Sequence, residues 1–472
     1  MSKTYFFDVS DILAYVRTET SVSGIQRVSL AVITRMVERY GPARVKIAYW
    51  SDEGSYEALS ADVLLQMGDF DADQLSHLFF GDKSRPAKEI APSLERYRTR
   101  PLKYAFHNAL RHLHASLGNE KHFRRKGTTL ADWRAFHAQH ASKNTSTPPR
   151  PLRPQTTPVR DLAKPGDRVI VMGAVWGQDD LANALGQLST AQGVDVTILV
   201  HDLIPILAPE HMHGGYSHSF ETWLEGSANY CSSYFANSKY TAKDLKEFLD
   251  KKGTPRPIHV VPLAQSFEPT SLAPGAQLSN QVSDVLKAPY VLVVGTMDSR
   301  KNLTRLAQAW EQMAQNGTQN LPRLVLAGKE NWLNSDFTDW MEKTNHLDGL
   351  IELVIRPSDA ELTALYTGCL FTAMVSLYEG WGLPIGEGLS MGKTGVVSNH
   401  SSMPEVGGDL VEYCDPYDLN SITTACQKLI THPDRRRALE HKISQTNLRN
   451  WEDVTADFIA ALEAEMVPAK AS

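Results

Sequence analysis

Two glutamates in the stretch "SLYEGWGLPIGEG" (residues 376–388) are the first candidates for chemistry. Glu379 and Glu387 lie eight positions apart, with glycines, a tryptophan and a proline between them. A helix brings residues about four or seven apart onto one face, and a strand brings residues about two apart onto one face. The irregular connection therefore predicts a loop that runs into a helix, with one carboxylate on each part.

The residues between the two glutamates support this interpretation. The preceding "FTAMVSLY" has the composition of a buried strand, and Pro384 is expected at the first position of the following helix, where proline is tolerated. Glu379 then lies at the carboxyl end of the strand. Glu387 lies in the first turn of the helix, a place that the helix dipole also favours for an acid. Gly380 and Gly382 allow backbone amides to approach a ligand closely.

Cations follow two other predicted strands. The strand "YVLVVG" ends at Gly295, and Arg300 and Lys301 come just before the next predicted helix. Two cations beside the free N–H groups of a helix N-terminus suit a diphosphate. Gly328 and Lys329 in "PRLVLAGKENW" repeat the pattern directly after a strand. The alternative for Arg300 and Lys301 is a solvated pair of surface cations, and a lone Gly-Lys after a strand is weaker evidence for a site.

Short apolar strands that alternate with amphipathic helices surround these residues. The pattern predicts an α/β fold with two doubly wound, Rossmann-like domains facing a central cleft, because ligands of such sheets bind outside the carboxyl ends of the strands. An N-terminal domain is expected over residues 1–275, with an insertion at about 80–165. A linker-like stretch follows at about 269–287, and a second domain is expected over residues 285–450.

Length and composition exclude several classes of protein. A chain of 472 residues is too long for a single hydrophobic core. Its formal net charge of −6 argues against a dedicated nucleic-acid binder. The four cysteines lack metal-site spacing and indicate free thiols in a reducing compartment. The sequence has neither a pattern typical of a signal peptide nor an apolar run of about 20 residues, so we expect a cytoplasmic location.

The insertion contains two unusual segments. Residues 142–165 are rich in proline, serine and threonine and predict an extended linker. Within residues 95–126, one helical face carries Leu102, Phe106, Ala109, Leu110, Leu113 and Leu117. Another face carries Lys103, His107, Arg111 and His114. Two interpretations are open: a helix packed on the N-terminal domain with a solvated basic face, or a peripheral anchor on an anionic membrane surface.

Residues 285–420 resemble the retaining GT-B glycosyltransferases that use nucleotide-sugar donors (family 4, or group 1), and among them the bacterial mannosyltransferase-like group. Four stretches match in the family's order: "VGTMDSRKN", "LVLAGK", "SLYEGWGLPIGEGLSMG" and "SSMPEVGGD". The Glu-x7-Glu element in the third stretch is the family's hallmark. The N-terminal half is similar in looser form, and the resemblance covers most of the chain except roughly 80–165. It also implies a C-terminal helix, residues 451–466, that crosses back onto the N-terminal domain.

The resemblance implies a role for each matching residue. Glu379 would hydrogen-bond hydroxyls of the donor sugar, and Glu387 would accept the ribose hydroxyls. Lys301 matches the lysine that binds the diphosphate, and Arg300 would supply a second cation. His201, in "HDLIPILAPEH", matches a histidine near the transferred sugar.

Further residues complete the implied donor site and the N-terminal loop. The donor site would also include Gly295, Gly328, Lys329, Gly380, Gly382, Leu383, Pro384 and Glu405. Ser23 and Gly24 match a loop for the acceptor or a phosphate. The chain departs from the family at two places: Thr296 stands where arginine often follows the glycine, and "SVSG" is poorer in glycine than the loop of many relatives.

The implied reaction is hexosyl transfer with retention of configuration and without a metal or other cofactor. "DFDAD" (Asp69, Asp71 and Asp73) has the spacing of a metal-binding Asp-x-Asp, but it lies in a polar stretch that predicts an ordinary acidic loop. GDP-mannose is the first candidate donor. The implied acceptor is a glycan or lipid-linked glycan of a bacterial surface polysaccharide, such as a lipopolysaccharide or capsule. The enzyme would then lie in the cytoplasm or on the inner face of the cytoplasmic membrane.

Other activities fit the same architecture. A sugar phosphorylase or a nucleotide-sugar epimerase would use a similar nucleotide or sugar site. A catalytically silent GT-B protein could act as a binding subunit, although intact Glu379, Glu387, Arg300 and Lys301 argue against it. These alternatives are separated by measuring whether turnover of the donor requires an acceptor glycan.

Overall fold

The computed structural model describes residues 3–17, 24–67, 101–126, 128–141, 155–212, 214–268, 278–330 and 335–464, together with Leu75, Phe79, Ala91 and Leu94. The chain divides into two compact units. The first unit comprises residues 1–87, 149–264 and 449–472, and the second comprises residues 88–148 and 265–448.

The strands of the described residues are numbered in chain order. They are β1 (Tyr5–Asp8), β2 (Val45–Trp50), β3 (Tyr56–Ser60), β4 (Thr157–Pro158), β5 (Arg168–Val171), β6 (Asp195–Val200), β7 (Ser233–Ala236), β8 (Ile258–Val260), β9 (Tyr290–Val294), β10 (Arg323–Gly328), β11 (Ile351–Ile355), β12 (Thr372–Met374), β13 (Gly395–Ser398) and β14 (Glu412–Cys414).

The helices connect these strands. They are α1 (Ser10–Val16), α2 (Gly24–Tyr40), α3 (Asp62–Met67), α4 (Pro101–Ser116), α5 (Glu120–Arg124), α6 (Leu130–Ala141), α7 (Val159–Leu162), α8 (Asp179–Gln192), α9 (Ile204–Leu207), α10 (Tyr216–Ser227), α11 (Lys239–Lys252), α12 (Asn280–Val285), α13 (Leu303–Gln315), α14 (Ser335–Lys343), α15 (Asn345–Asp348), α16 (Asp359–Gly368), α17 (Leu383–Ser390), α18 (Met403–Gly407), α19 (Leu419–Thr431), α20 (Pro433–Gln445) and α21 (Trp451–Ala464). Within the described ranges, 3-10 turns lie at Pro209–His211 and Ser299–Lys301.

The sheet of the first unit has the order β4-β3-β2-β1-β5-β6-β7-β8. Strand β1 pairs in parallel on both sides, with Phe7 opposite Ile47 and Ile170. The pairings of β3 with β2 and of β4 with β3 are antiparallel. The sequence analysis missed β3 and β4, because short antiparallel edge strands lack the continuous apolar run of a buried parallel strand.

The sheet of the second unit has the order β11-β10-β9-β12-β13-β14, and all of its pairings are parallel. Successive residues of a strand point to opposite faces. Accordingly, Val291 of β9 belongs to a core cluster with Trp310 of α13, whereas the adjacent Leu292 belongs to a second cluster with Tyr366 of α16. Helices therefore cover both faces of this sheet, which confirms the doubly wound prediction.

The insertion packs on the second unit. The Asp132 carboxylate of α6 accepts hydrogen bonds from the backbone N–H groups of Asn280 (2.9 Å) and Gln281 (3.2 Å) at the start of α12. Arg124 of α5 donates to Asp284 at 3.0 Å. The sequence analysis placed the insertion within the N-terminal domain, because its place in the chain was the only guide. Helices α4, α5 and α6 of the insertion belong to the second unit instead, whereas its last part, from residue 149, belongs to the first unit.

The apolar stripe of α4 is exposed. The exposed fractions are 87% for Leu102, 64% for Phe106, 55% for Leu113 and 70% for Leu117. Arg111, expected on a solvated face, is buried with its guanidinium 5.7 Å from the centre of the Trp133 ring. The interpretation of this segment as a helix packed on the N-terminal domain with a solvated basic face is therefore wrong: α4 belongs to the second unit, and Arg111 of its basic face is buried, although Lys103 is exposed.

The linker prediction for residues 142–165 is only partly covered by the described residues. From residue 155 onwards the chain contains β4 and α7, so this end of the segment is not an extended linker. The apolar Val159 at the start of α7 is fully buried in the core of the first unit.

The C-terminal helix α21 packs against α2 in the first unit. The Phe458 ring of α21 lies 6.2 Å from the Phe7 ring and 4.9 Å from the Phe235 ring, centre to centre. Arg35 of α2 donates to Glu452 of α21 at 2.7 Å. These contacts confirm the predicted return of the last helix to the first unit.

All four cysteines are buried and carry free thiols, as the sequence analysis expected. Within the described ranges, no helix combines the length and the apolar character that crossing a bilayer requires.

Candidate functional site

The strand order of the second unit contains a topological switch point between β9 and β12. From β9 the chain continues to β10 and β11 on one side, and from β12 it continues to β13 and β14 on the other. Ligands of open α/β sheets bind at such a point, outside the carboxyl ends of the two strands. Arg300 and Lys301 follow β9, and Glu379 follows β12. The fold therefore brings the predicted cations and the predicted carboxylate to the same edge of the sheet.

Glu379, Arg300 and Lys301 form a buried ionic triad. An N–H group of Arg300 lies 2.6 Å from Glu379 Oε2, and Lys301 Nζ donates to Glu379 Oε1 at 2.7 Å. Between 10% and 14% of each of the three side chains is exposed. Most of the screening by water is therefore lost, and each oxygen of the carboxylate is matched by one cation.

The triad keeps Glu379 ionised. Burial by itself raises the pKa of this carboxyl group, but the charges and hydrogen bonds of Arg300 and Lys301 outweigh burial and lower the pKa to about 2. At neutral pH the side chain is therefore a carboxylate, which accepts hydrogen bonds and cannot donate them.

The low pKa of Glu379 predicts a dependence of stability on pH. A carboxyl group whose pKa is lower in the folded chain stabilises the fold above the unfolded pKa, and this stabilisation is lost as the pH falls through the folded pKa. For Glu379 the window lies between about 4.5 and about 2. We expect the melting temperature of the Glu379→Gln variant to fall less steeply with acidification than that of the wild type. Parallel slopes in thermal unfolding followed by circular dichroism would contradict this.

The loops that follow β9 and β12 are tied together. Arg300 Nη1 donates to the carbonyl of Tyr378 at 2.7 Å, and the N–H of Leu377 donates to the carbonyl of Arg300 at 2.9 Å. The Asp298 side chain accepts the N–H of Lys301 at 3.2 Å and thereby caps the 3-10 turn. These bonds fix the position of Arg300 more firmly than that of Lys301, whose ammonium group contacts Glu379.

Asn302 is a site residue that the sequence analysis did not single out. It is 5% exposed and has a left-handed backbone (φ 59°). Its side-chain amide donates to the carbonyls of Val375 (3.1 Å) and Pro416 (2.8 Å). The sequence gives one indication of this role: an asparagine stands between a loop and a helix, and asparagine tolerates a left-handed backbone better than most residues do.

Two serines of the "SSMPEVGGD" stretch hold the loop that contains Glu379. Ser401 Oγ accepts the N–H of Glu379 at 3.0 Å. Ser402 Oγ lies within donating distance of the carbonyls of Glu379 (2.8 Å) and Trp381 (3.0 Å). The sequence analysis did not single out these serines. Their role depends on tertiary contacts across more than twenty residues, which local patterns do not show.

The helix after this loop begins one residue earlier than predicted. Gly382, with φ +106°, precedes it, and α17 starts at Leu383. Pro384 is therefore the second helical residue and not the first, and Glu387 is the fifth, beyond the first turn. The prediction that Glu387 lies in the first turn is wrong, and the helix dipole is a weaker reason for its position.

Glu387 is buried beside a tyrosine. It is 8% exposed, and the Tyr366 hydroxyl donates to its Oε2 at 2.6 Å. Tyr366 of α16 is itself fully buried. The sequence analysis missed Tyr366, which belongs to a helix preceding β12 and is brought to Glu387 only by the fold.

Gly328 makes a close approach that no larger residue allows, and Gly295 has a backbone conformation that other residues rarely adopt. Gly328 has φ +154°, and a Cβ atom there would lie 2.0 Å from the carbonyl oxygen of Gly295. Gly295 has φ +140°, and a Cβ atom there would meet the Lys301 side chain at 3.4 Å. The glycines thus make room for the ends of β9 and β10 and for Lys301. The backbone carbonyl of Lys329 accepts the N–H of Met297 at 2.8 Å.

Glu405 lies in the first turn of α18, and its side chain is exposed. The backbone N–H of Glu405 donates to the carbonyl of Ser402 at 2.9 Å. This bond connects the first turn of α18 to the serine that holds the Glu379 loop. Helix α18 packs against α17 and β13.

His201 lies in the first unit, directly after β6. Its Nε2 atom is 2.7 Å from the carbonyl oxygen of Met172. Burial lowers the pKa of His201 despite this hydrogen bond and the nearby Asp202 and Asp11. The Asp11 carboxylate accepts from Gln26 at 2.8 Å. The neutral imidazole that burial favours can take part in hydrogen bonds without adding charge.

The described residues cover only part of the N-terminal loop and none of the acidic stretch. Gly24 is the first residue of α2, as a strand-loop-helix pattern requires, whereas Ser23 lies outside the described residues. The "DFDAD" stretch also lies outside them. Among the residues that the structure describes, no three His, Cys, Asp or Glu side chains are grouped as a metal site would need.

Sequence comparisons find similarity within the second unit. Residues 277–446 match the family model "Glycosyl transferases group 1". The O-antigen chain mannosyltransferase B of Escherichia coli is 33% identical over 173 residues, which make up 36% of this chain and 45% of that protein. The chain therefore spans less than half the length of this relative.

Solved structures show the fold of the whole chain. Sucrose-phosphate synthase of Thermosynechococcus elongatus has a TM-score of 0.55 at 16% identity, over 99% of this chain and 100% of that one. HepE of Anabaena, in complex with UDP and glucose, has a TM-score of 0.55 at 13% identity, over 98% and 100% of the two chains. The chain thus has the GT-B fold, and its residues 277–446 carry the sequence pattern of the group 1 glycosyltransferases.

Proposed function

We propose that this chain is a retaining glycosyltransferase that moves a hexosyl group from a nucleotide-sugar donor to a glycan or lipid-linked glycan. Mannose from GDP-mannose is the first candidate, and the product would belong to a bacterial surface polysaccharide. The observation that carries the proposal is the buried triad of Glu379, Arg300 and Lys301 at the switch point of the second unit. The group 1 family match and the similarity to an O-antigen chain mannosyltransferase support it.

The two cations would stabilise the leaving group. Breaking the bond between C1 of the sugar and the phosphate oxygen leaves negative charge on the nucleoside diphosphate, and preorganised cations lower this barrier. Arg300 and Lys301 are held beside the site by Glu379. With a diphosphate on the cations, the Glu379 carboxylate would accept hydrogen bonds from the donor-sugar hydroxyls.

The other site residues would orient the donor. Glu387, held by Tyr366, would accept the ribose hydroxyls, and His201 would lie near the transferred sugar. Retention would follow from attack of the acceptor hydroxyl on the same face of the sugar. The new bond forms at C1, and a donor phosphate oxygen takes the acceptor's proton. No side chain then needs to act as a nucleophile.

A donor screen tests the proposal. The full chain is incubated with labelled GDP-mannose or UDP-glucose, with and without an acceptor glycan, and the anomeric configuration of the product is read by NMR. Transfer that needs the acceptor and retains configuration is expected. Donor conversion without an acceptor would indicate an epimerase, and cleavage of a glycan by inorganic phosphate would indicate a phosphorylase. Nucleotide binding without any turnover would indicate a silent binding subunit.

Removal of divalent metals is expected to leave the activity unchanged. The triad of Arg300, Lys301 and Glu379 has a net charge of +1 and holds two cationic hydrogen-bond donors at fixed positions, so we expect the diphosphate to be stabilised without a metal ion. Transfer rates are measured after treatment with EDTA and again after Mg²⁺ is added in excess. A strict requirement for Mg²⁺ would contradict the metal-free mechanism.

The exposed stripe of α4 favours contact with a membrane surface. Four large apolar side chains on one side of a helix are costly to leave in water, and a lipid-linked acceptor would itself lie in a bilayer. Lys103, on the same helix, is also exposed. An amphipathic helix with this character binds in the interfacial plane of a bilayer. We therefore propose peripheral binding at the cytoplasmic face of the membrane.

Replacing the stripe is expected to weaken vesicle binding. A variant with serine at the four positions Leu102, Phe106, Leu113 and Leu117 should bind phosphatidylglycerol-containing vesicles at least about tenfold more weakly, because it loses most of the apolar area that would enter the interface. Co-sedimentation with vesicles measures this. The variant Lys103→Gln separates charge from apolar contact.

Because the four side chains are already exposed, the serine variant should keep the wild-type melting temperature. Equal binding by the wild type and the serine variant would show that the stripe does not contact lipid.

A further inference from the structure

A groove of about 940 Å³ lies in the first unit between α8 and α10. None of the residues assigned to the donor or acceptor above lines it. Its walls include Asn183 and Gln187 from α8, and Thr222, Trp223, Asn229 and Tyr230 from α10 and the turn that follows it. The volume is within the range of sites that bind small organic ligands.

Two glycines line the groove. Gly186 lies in the middle of α8 and Gly226 in the last turn of α10, and both line the groove. A Cβ atom at Gly226 would have no neighbour within 4 Å, and at Gly186 the nearest atom would be a ring carbon of Tyr230 at 3.9 Å. Close helix packing therefore does not demand glycine at either position.

The lining is polar and carries little charge. Among the described residues that form it, Asp179 is the one carboxylate, and lysine and arginine are absent. This composition does not suit a phosphate or nucleotide, which would need cations. The hydroxyl of Tyr230 is buried and has no hydrogen-bond partner within the described part of the chain. Because this hydroxyl has almost no accessible surface, the groups that a ligand would reach are the exposed amides and hydroxyls of the groove.

The amide and hydroxyl groups of the groove are available to a ligand. Asn183, Gln187, Thr222 and Asn229 are exposed, and no hydrogen bond to another described residue engages their side chains. A side-chain amide offers two donors and one acceptor, which match the neighbouring hydroxyls of a sugar ring.

One wall of the groove contains a tryptophan that is packed against other aromatic rings. The Trp223 ring lies 5.6 Å from the Phe220 ring and 6.1 Å from the Trp176 ring, centre to centre. Ser189 Oγ donates to the Tyr230 carbonyl at 3.0 Å. Amphipathic rings at fixed positions can pack against the C–H face of a sugar at low entropic cost.

We propose that this groove binds a neutral oligosaccharide, namely a segment of the glycan chain that the enzyme elongates. The choice of occupant rests on the proposed glycosyltransferase function. The existence of a polar ligand site rests on the groove itself. A second contact with the same chain raises the local concentration of its reactive end. The groove should therefore lower the KM for long acceptors and leave the KM for short ones unchanged.

The variant Gly226→Phe tests the groove directly. The full chain is titrated with unbranched manno- and gluco-oligosaccharides of about four sugar units, and binding is followed by saturation-transfer NMR. The phenylalanine ring would fill the space, so we expect binding at least about tenfold weaker than in the wild type. Gly226→Ala is the matched control, because its Cβ meets no atom within 4 Å and leaves the groove open.

A second pair of variants guards against a folding defect. Gln187→Ala removes one groove amide and should weaken binding, whereas Gln427→Ala removes an exposed glutamine of α19 and should not. Absence of binding in the wild type, or equal binding by wild type and Gly226→Phe, would overturn the proposal.

Turnover with a short acceptor, measured on the same variants, keeps this test separate from that of the proposed function. If Gly226→Phe raises the KM for long acceptors while turnover of short ones is unchanged, the groove acts as a separate glycan site. If the wild type binds oligosaccharide in the groove but shows no transferase activity, the proposed function fails and the binding site stands.

Discussion

Alanine in place of Glu379 is expected to lower the rate of sugar transfer at least about 100-fold, the range seen when one preorganised transition-state contact is removed. Two effects combine in this variant. It loses the carboxylate proposed to accept the donor-sugar hydroxyls. It also loses the anion that holds Arg300 and Lys301 at 2.6 and 2.7 Å. Initial rates with a saturating donor measure the effect, and circular dichroism checks that the variant is folded.

A matched control separates the role of Glu379 from the general effect of losing an acid. Glu247, on α11, forms an exposed ion pair with Lys243 at 3.8 Å, and Glu247→Ala should leave the transfer rate unchanged. Glu379→Gln keeps the shape of the side chain and removes its charge, so it should lie nearer to Glu379→Ala than to the wild type. A near-normal rate for Glu379→Ala would show that the site has been assigned wrongly.

Much of this site could be predicted from the sequence, because its residues occur in local patterns. An apolar strand followed by a glycine, cations and a helix placed Arg300 and Lys301 at a strand end. The glycine-rich stretch placed Glu379 after another strand. The strand order brings Glu379 next to the two cations, because β9 and β12 are neighbours in the sheet. That Lys301 pairs with a residue 78 positions away is a property of the fold and was not predicted.

The residues missed by the sequence analysis act over long separations. Ser401, Ser402 and Tyr366 hold backbone or carboxylate groups from elements far along the chain, and their types carry no local signal. The assignment of the insertion failed for the same reason, since only the contacts of Asp132 and Arg124 reveal which unit it joins. The error in the start of α17 is smaller. The helix begins at Leu383, one residue before the predicted start at Pro384, because leucine can occupy the first helical position as well as proline can.

The variant Lys301→Gln is expected to lower the affinity for a nucleoside diphosphate by about 10- to 100-fold, because a charge-assisted hydrogen bond contributes about 1.5–3 kcal/mol. Lys301 is the better of the two cations for this test. Arg300 also donates to the Tyr378 carbonyl, so its loss would loosen the loop as well. In Lys301→Gln, Arg300 still neutralises Glu379, and the fold should be kept. Isothermal titration with GDP and UDP measures the affinity.

The comparison of ligands makes the Lys301 test specific. A lysine that binds the diphosphate contributes nothing to the base or ribose, so guanosine and uridine should bind the wild type and Lys301→Gln equally. Lys301→Arg keeps the charge and should retain most of the affinity for the diphosphate. If Lys301→Gln instead weakens nucleoside and nucleoside diphosphate to the same extent, the substitution has distorted the pocket. Equal affinities of all variants for GDP and UDP would place the diphosphate away from Lys301 and remove the basis for metal-free stabilisation of the leaving group.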